Sequence, residues 1–152
     1  MASLPTFADF YAREFSSATK LAYLLTGSRN MAEDIAQEAF IRVYPRFNEQ
    51  LNNPAAYLHT TLINLCKSWH RSEARRRKHM PRLGLIDSCS TLEVSEMLDI
   101  IGQLPYRQRV VITLRYWVNM PDSEIAQVLK CRRGTVKSLA SRAHKTIRGQ
   151  IL

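Results

Sequence analysis

The chain has 152 residues, 45% hydrophobic and 23% charged, which suits a folded chain of one ordinary domain or two very small ones. That balance excludes a disordered chain, 5 Gly and 6 Pro exclude collagen-like and linker-like ones, and no apolar run approaches the roughly 20 residues needed to cross a bilayer. Lys and Arg outnumber Asp and Glu 22 to 13, a net charge of +9 that points to a polyanionic partner, usually nucleic acid.

The N-terminus, MASLPTFADFYAREF, lacks a basic start followed by an apolar core and does not read as a secretory signal. Helical periodicity then runs throughout. Phe7, Tyr11, Ala18, Ala22 and Leu25 form a first stripe, ending at Thr26-Gly27-Ser28. Ala32, Ile35, Ala36, Ala39, Val43 and Phe47 form a second, closed near Pro45. The polar loop Asn48 to Pro54 precedes a third helix, expected from about Pro54 into the Arg run at 75–77, with Leu58, Leu62, Leu65 and Trp69 buried. Met80 to Thr91, with Pro, Gly and two Ser, reads as a flexible linker.

Beyond it, Val94, Met97, Leu98, Ile101 and Leu104 form another stripe, broken by Pro105. The next helix turns Val110, Val111, Leu114 and Val118 inward. Pro121-Asp122-Ser123-Glu124 starts a short helix with Ile125, Ala126 and Leu129 inward. A break at Cys131 to Gly134 leads to a final helix from about Thr135 to Arg148. No segment alternates with period two over a useful length. The expected fold class is all-α, with two small helical domains at 1–79 and 92–152 joined by the flexible linker 80–91.

Charge is unevenly spread: net −1 over 1–65, +6 over 66–82, −4 over 83–105 and +8 over 106–152. Two basic blocks separated by an acidic stretch suggest two nucleic-acid contacts. Cys66, Cys89 and Cys131, together with His59, His70, His79 and His144, show no ligand spacing. No metal, cofactor or catalytic residue is therefore expected, and the thiols read as inert groups of a reducing, cytoplasmic compartment.

Two signals carry function. SEIAQVLK, a turn containing Gly134, and TVKSLASRAHKTIR have the layout of a helix-turn-helix. The second helix of such a motif lies in the major groove, and Thr135, Lys137, Ser138, Ser141 and Arg142 stand early on it with side chains suited to base edges and phosphates. The bland alternative is a solvated basic helix. The second signal is the opposite face of the third helix. Thr60, Asn64, Lys67, Arg71 and Arg75 form a polar stripe flanked by Ser68 and His59, with Tyr57 and Trp69 nearby. Cations that hold a backbone, amides that bond base edges and rings that stack on bases suit single-stranded DNA. Alternatively, the rings are core and the arginines a solvated helix end.

These residues resemble the extracytoplasmic-function sigma factors of bacterial RNA polymerase, and within them the SigE-like group common in actinobacteria. AYLLTGSRNMAEDIAQEAFIRVY is similar to the core-binding motif of the N-terminal sigma domain, and NPAAYLHTTLINLCKSWHR to its promoter-melting helix. LPYRQRVVITLRYW, SEIAQVL and GTVKSLASRA are similar to the C-terminal sigma domain. The resemblance implies a transcription-initiation factor that is not itself an enzyme. Its partners would be core polymerase, through the β′ clamp and β flap, promoter DNA and an anti-sigma factor, without membrane insertion.

The resemblance assigns Glu33, Asp34, Gln37 and Glu38 to the β′ clamp. It assigns Asn53, Tyr57, Thr60, Asn64, Lys67, Ser68, Arg71 and Arg75 to −10 DNA, with a flipped base captured by the loop Asn48 to Ala56, and Arg133, Thr135, Lys137, Ser138, Ser141 and Arg142 to −35 DNA. Three positions depart from the family's pattern. Arg132 stands where a Ser usually caps the recognition helix, Pro121 replaces another Ser, and Leu139 replaces a long polar residue, facing either a thymine methyl or the core. A free-standing dimeric helix-turn-helix regulator would account for 106–152 and leave the N-terminal acidic face unused.

Overall fold

The computed structural model describes residues 6–47, 52–79 and 92–151, and all regular structure among them is helical. The chain divides into two compact units, Met1–Gly84 and Leu85–Leu152. The expected linker 80–91 and most of the polar loop, residues 48–51, lie outside the described residues.

The N-terminal unit packs three helices. The first, α1 (Phe7–Thr26), opens on a capping box: the Asp9 amide donates to the Thr6 hydroxyl at 3.2 Å, and the Thr6 amide donates to the Asp9 carboxylate at 3.1 Å. The bond from the Thr6 backbone is the chief reason the Asp9 carboxyl is held below its usual range. Gly27 ends α1 in the left-handed region at φ 75°, and its amide donates to the Tyr23 carbonyl at 2.8 Å. Ser28 follows at once as the N-cap of α2 (Arg29–Val43), accepting from the Met31 amide at 3.4 Å. The reversal between the two helices thus takes only two residues. Pro45 lies in a 3₁₀ turn, Tyr44–Arg46, that closes α2. The third helix, α3 (Pro54–His79), starts where expected and runs through the Arg run at 75–77.

The core of this unit is built by Phe10, Leu21, Leu25, Phe40, Val43, Leu58 and Leu62, with Ala18, Ala22, Ala32, Ala36 and Ala39 letting the helices approach closely. Two expectations need correction. Tyr11 lies half at the surface and Phe7 is only partly buried, while Phe10 and Leu21 fill the interior. On α3, Leu65 and Trp69 are half-buried, and Ile63 and Cys66 take the interior places. The reason is that α3 packs against both α1 and α2, so its buried arc is wider than a single-partner stripe. The His70 ring bonds the Leu25 carbonyl, tying α3 to the open C-terminal end of α1. This imidazole therefore has an internal structural contact.

The C-terminal unit holds α4 (Leu92–Gly102), α5 (Tyr106–Tyr116), α6 (Asp122–Leu129) and α7 (Arg133–Ile151). Ile101, Leu104, Val110, Val111, Leu114, Ile125 and Ala126 are buried as expected, whereas Val118 and Leu129 are half-buried and Met120 is interior. The side chains of Val94 and Met97 lie outside the described residues. Arg109 donates to the carbonyls of Ile101 at 3.1 Å, Gly102 at 2.8 Å and Leu104 at 3.2 Å, closing the C-terminal end of α4 across Pro105. Pro121 occupies the N-cap of α6 and makes no side-chain cap.

The turn between α6 and α7 differs from expectation. Its left-handed residue is Lys130, at φ 54°, with the Cys131 amide donating to the Ala126 carbonyl at 3.0 Å. Gly134, assigned to the turn from sequence, is the second residue of α7, which also continues beyond Arg148. A lysine at φ > 0 is strained by roughly 1–2 kcal/mol, because its Cβ crowds the following carbonyl.

Burial pushes the Cys66 thiol up to about 12, so it stays protonated and non-nucleophilic at neutral pH. Thiol titration of the native protein with an aromatic disulfide should leave Cys66 unmodified until the N-terminal unit unfolds, while the half-buried Cys131 reacts in the folded state. Peptide mapping of the modified protein checks the assignment.

Candidate nucleic-acid and partner interfaces

Three surfaces emerge from these helices. The first is on α2. Burial of Ala32, Ile35, Ala36 and Ala39 turns Glu33, Asp34, Gln37 and Glu38 outward together, all four exposed. Glu38 accepts a hydrogen bond from Arg42 at 3.1 Å, an exposed i,i+4 pair of little energetic weight that a partner can displace. Gln37 also borders a shallow cavity of about 360 Å³, lined with Phe7, Tyr11, Phe40, Ile41 and Tyr44. Ile41 and Tyr44 are 65% and 64% exposed. The acidic face thus continues into an apolar, aromatic one. The only sign of this in the sequence is that Ile41 and Tyr44 are apolar residues off the buried stripe.

The second surface is the outer face of α3. Asn64, Lys67, Ser68, Arg71 and Arg75 are exposed together, opposite the interior Leu58, Leu62 and Cys66. Among the described residues no carboxylate pairs with Lys67, Arg71 or Arg75; the nearby Glu73 is taken by Arg76 at 3.1 Å. Thr60 and Tyr57 are half-buried, and the Thr60 hydroxyl donates to the Ala56 carbonyl at 3.0 Å. The Tyr57 ring carries the Arg46 guanidinium 5.6 Å from its centroid, which brings into this face a cation absent from the sequence stripe.

Asn53 is exposed, and its side-chain carbonyl accepts the Ala56 amide at 3.2 Å. It is therefore the N-cap of α3, with its amide group still available. Of the loop expected to capture a base, only Asn52 to Ala56 are described, and Pro54 to Ala56 are already helical.

The third surface is α7. Arg133, Lys137, Ser138, Ser141 and Arg142 are exposed and Thr135 is half-buried, while Val136, Leu139, Ala140 and Ala143 pack inward. Leu139, 8% exposed, is therefore core and does not meet a thymine methyl. Arg132 occupies the N-cap place through its backbone, its carbonyl accepting the Thr135 amide at 3.0 Å and the Val136 amide at 3.2 Å. Among the described residues no group of His, Cys, Asp and Glu could hold a metal ion, and no helix is long and apolar enough to cross a membrane.

An acidic and aromatic face, a cationic helix in the same unit and a helix-turn-helix in the other are the arrangement that the two sigma domains were expected to have. Residues 10–76 match the Sigma-70 region 2 family and residues 87–147 the Sigma-70, region 4 family. The chain belongs to the sigma-70 family of RNA polymerase sigma factors, in its extracytoplasmic-function branch. It is 33% identical over 128 residues to the RNA polymerase sigma-E factor of Streptomyces avermitilis, covering 79% of this chain and 70% of that protein. It is 28% identical to the extracytoplasmic-function sigma factor SigW of Bacillus subtilis, covering 95% and 88%. The solved structure of the sigma factor RpoE in complex with the anti-sigma factor NepR from Bartonella quintana shares the fold. Its TM-score is 0.82 at 21% identity, covering 95% of this chain and 96% of that one.

Asn53→Ala separates the capping role from a DNA role. It should cost about 1 kcal/mol of stability, the usual value of an N-cap. Chemical denaturation measures that loss, and Asn53→Ser, which restores a cap, should recover most of it.

Proposed function

We propose that this sigma factor docks on core polymerase through α2, holds the opened −10 strand with α3 and reads −35 duplex with α7. The observation that carries this reading is the segregation of charge. Lys67, Arg71 and Arg75 on α3 and Lys137 and Arg142 on α7 are exposed without carboxylate partners among the described residues, while Asp34 and Glu38 sit on a face of their own. A basic helix of the polymerase clamp would meet the acidic residues and set its apolar side on Ile41 and Tyr44. The protein acts without catalysis of its own, in the cytoplasm where the polymerase is. An anti-sigma factor, the kind of partner seen with RpoE, would compete for the same surfaces.

The direct test is in vitro transcription from a genomic promoter library with purified core polymerase. Specific initiation is expected only when the chain is present. Gel filtration with the core enzyme separates this reading from a free-standing regulator. Charge reversal at Asp34 and Glu38 should abolish co-elution while leaving thermal stability nearly unchanged, because exposed charges contribute little to folding.

Opening of DNA is a separate task. Asn64→Ala removes an amide that can pair a base edge but no charge. It should lower permanganate reactivity of −10 thymines on duplex promoter while sparing core binding. A premelted bubble template should restore much of the reactivity, because the unpairing cost is already met. Equal reactivity of wild type and variant on duplex returns α3 to a solvated helix face.

A further inference from the structure

The C-terminal unit contains a cavity of about 320 Å³ between α5 and α7, lined by Arg115, Lys137, Ala140, Ser141, His144 and Arg148. Lys137, Ser141, His144 and Arg148 follow one another along α7 at steps of four, three and four residues, so they share one face of that helix. Arg115 supplies the opposite wall from α5. None of the six is a carboxylate, and among the described residues neither Lys137 nor Arg148 is paired with one. The His144 ring is placed by a hydrogen bond of 2.9 Å between its Nε2 and the Tyr116 hydroxyl. A lysine amine is thus held in one pocket with two guanidinium groups and a hydroxyl, all of which suit a phosphoryl group. The volume lies at the small end of the roughly 300–1,000 Å³ of ligand pockets, which suits a small anion.

Arg115 is held in a particular way. Its Nε donates to Asp122 Oδ1 at 3.1 Å, and its Nη2 donates to Oδ1 at 2.7 Å and Oδ2 at 2.8 Å. Both side chains are mostly covered, 26% and 21% exposed, so the pair is shielded from the screening that weakens surface ion pairs. A fork-to-fork bond of this kind fixes the guanidinium plane as well as its position. Asp122 engages Nε and one terminal nitrogen, and Nη1 is not bonded by it. One anion-binding wall of the cavity is therefore set in place before any ligand arrives, while the amine of Lys137 stands across from it on α7.

We propose that Lys137 is an acylation site, and that the cavity selects an acyl phosphate as the donor by holding its phosphoryl end on Arg115 and Arg148. The ammonium of Lys137 first gives one proton to water. The free amine then attacks the acyl carbon, an N–C bond forms, and the C–O bond to the phosphate breaks with its electron pair kept by oxygen. The proton shed by nitrogen leaves on the phosphate as hydrogen phosphate, and the product is a neutral amide. Holding donor and amine in one pocket turns an encounter in solution into a reaction between neighbours, which favours this lysine over the others in the chain. The modified residue has lost its charge. That this loss weakens DNA binding rests on the −35 reading above; the acyl transfer itself does not.

The test is reaction of the full chain with acetyl phosphate, followed lysine by lysine with mass spectrometry. Lys137 should be acetylated several-fold faster than Lys20 and Lys67, which stand exposed on helices of the other unit. Arg148→Ala should bring Lys137 down to their rate and leave theirs unchanged. Arg115→Ala should act the same way, but it also breaks the bond to Asp122, so the exposed Arg148 is the decisive position. Inorganic phosphate should compete at Lys137 alone, and acetic anhydride, an acyl donor without a phosphoryl group, should show no preference for it. The site is overturned if Lys137 reacts no faster than Lys20, or if its rate ignores both Arg148→Ala and inorganic phosphate. A preference that persists with acetic anhydride overturns it as well, because the reactivity then lies in the amine and not in the pocket. Duplex DNA seated on α7 should shield Lys137. Preferential acetylation that duplex DNA does not slow leaves the acylation site standing and overturns the −35 reading.

Discussion

A helix that buries one stripe of its surface loses its freedom to rotate about its own axis, and each interface of this sigma factor depends on that loss. On α3, Leu58, Leu62 and Cys66 are fully buried, and this sends Asn64, Lys67 and Arg71 to the outside. On α7, Val136 and Ala143 do the same for Ser138, Ser141 and Arg142. Each buried leucine or valine contributes about 1.5–3 kcal/mol by leaving water, which is more than an exposed ion pair can offer. Apolar packing therefore sets the direction of the cations, and the cations need no partners within the protein to be held in place. Short connections reinforce this. With only Gly27 and Ser28 between α1 and α2, neither helix can slide without breaking both caps.

Much of this architecture can be read from spacing. The stripes on α2 and α5 predict Ala32, Ile35, Ala36, Ala39, Val43, Val110, Val111 and Leu114, which are buried, and fail at their last members, Phe47 and Val118, which are half-buried; the two-unit helical fold follows from stripes interrupted by polar stretches. The errors cluster where one helix meets two neighbours or where the backbone leaves its usual region. Ile63 and Cys66 are core because α3 packs on both α1 and α2, a fact that a one-partner stripe cannot encode. Lys130 takes the left-handed turn and Gly134 does not, because the register of the turn is set by the α6 carbonyls and not by the glycine. At the sites, the outward residues of α2, α3 and α7 were readable as faces. Ile41 with Tyr44, Arg46 on Tyr57, and the cavity joining Arg115 to α7 were not, since each brings together residues from different elements or lies off the buried stripe.

The electrostatic design separates work by location. Cations that face solvent remain fully hydrated and cost little until a polyanion displaces water and counterions. Among the described residues, the two more covered arginines are treated differently. Arg115 is satisfied by a carboxylate, and Arg109 by three backbone carbonyls. Burial lowers the pKa of Arg109, yet the carbonyl oxygens around it supply the negative ends of peptide dipoles that a desolvated guanidinium requires.

That arrangement has a mechanical consequence. Gly102, Gln103, Leu104 and Pro105 would ordinarily form a hinge, since a helix has just ended and the next has not begun. Arg109 reaches back across Pro105 and bonds the carbonyls of Ile101, Gly102 and Leu104, so α5 carries the end of α4 with it. The two helices become a crank, stiff at the elbow. Both helices pack on α7, so the last helix meets them as one piece.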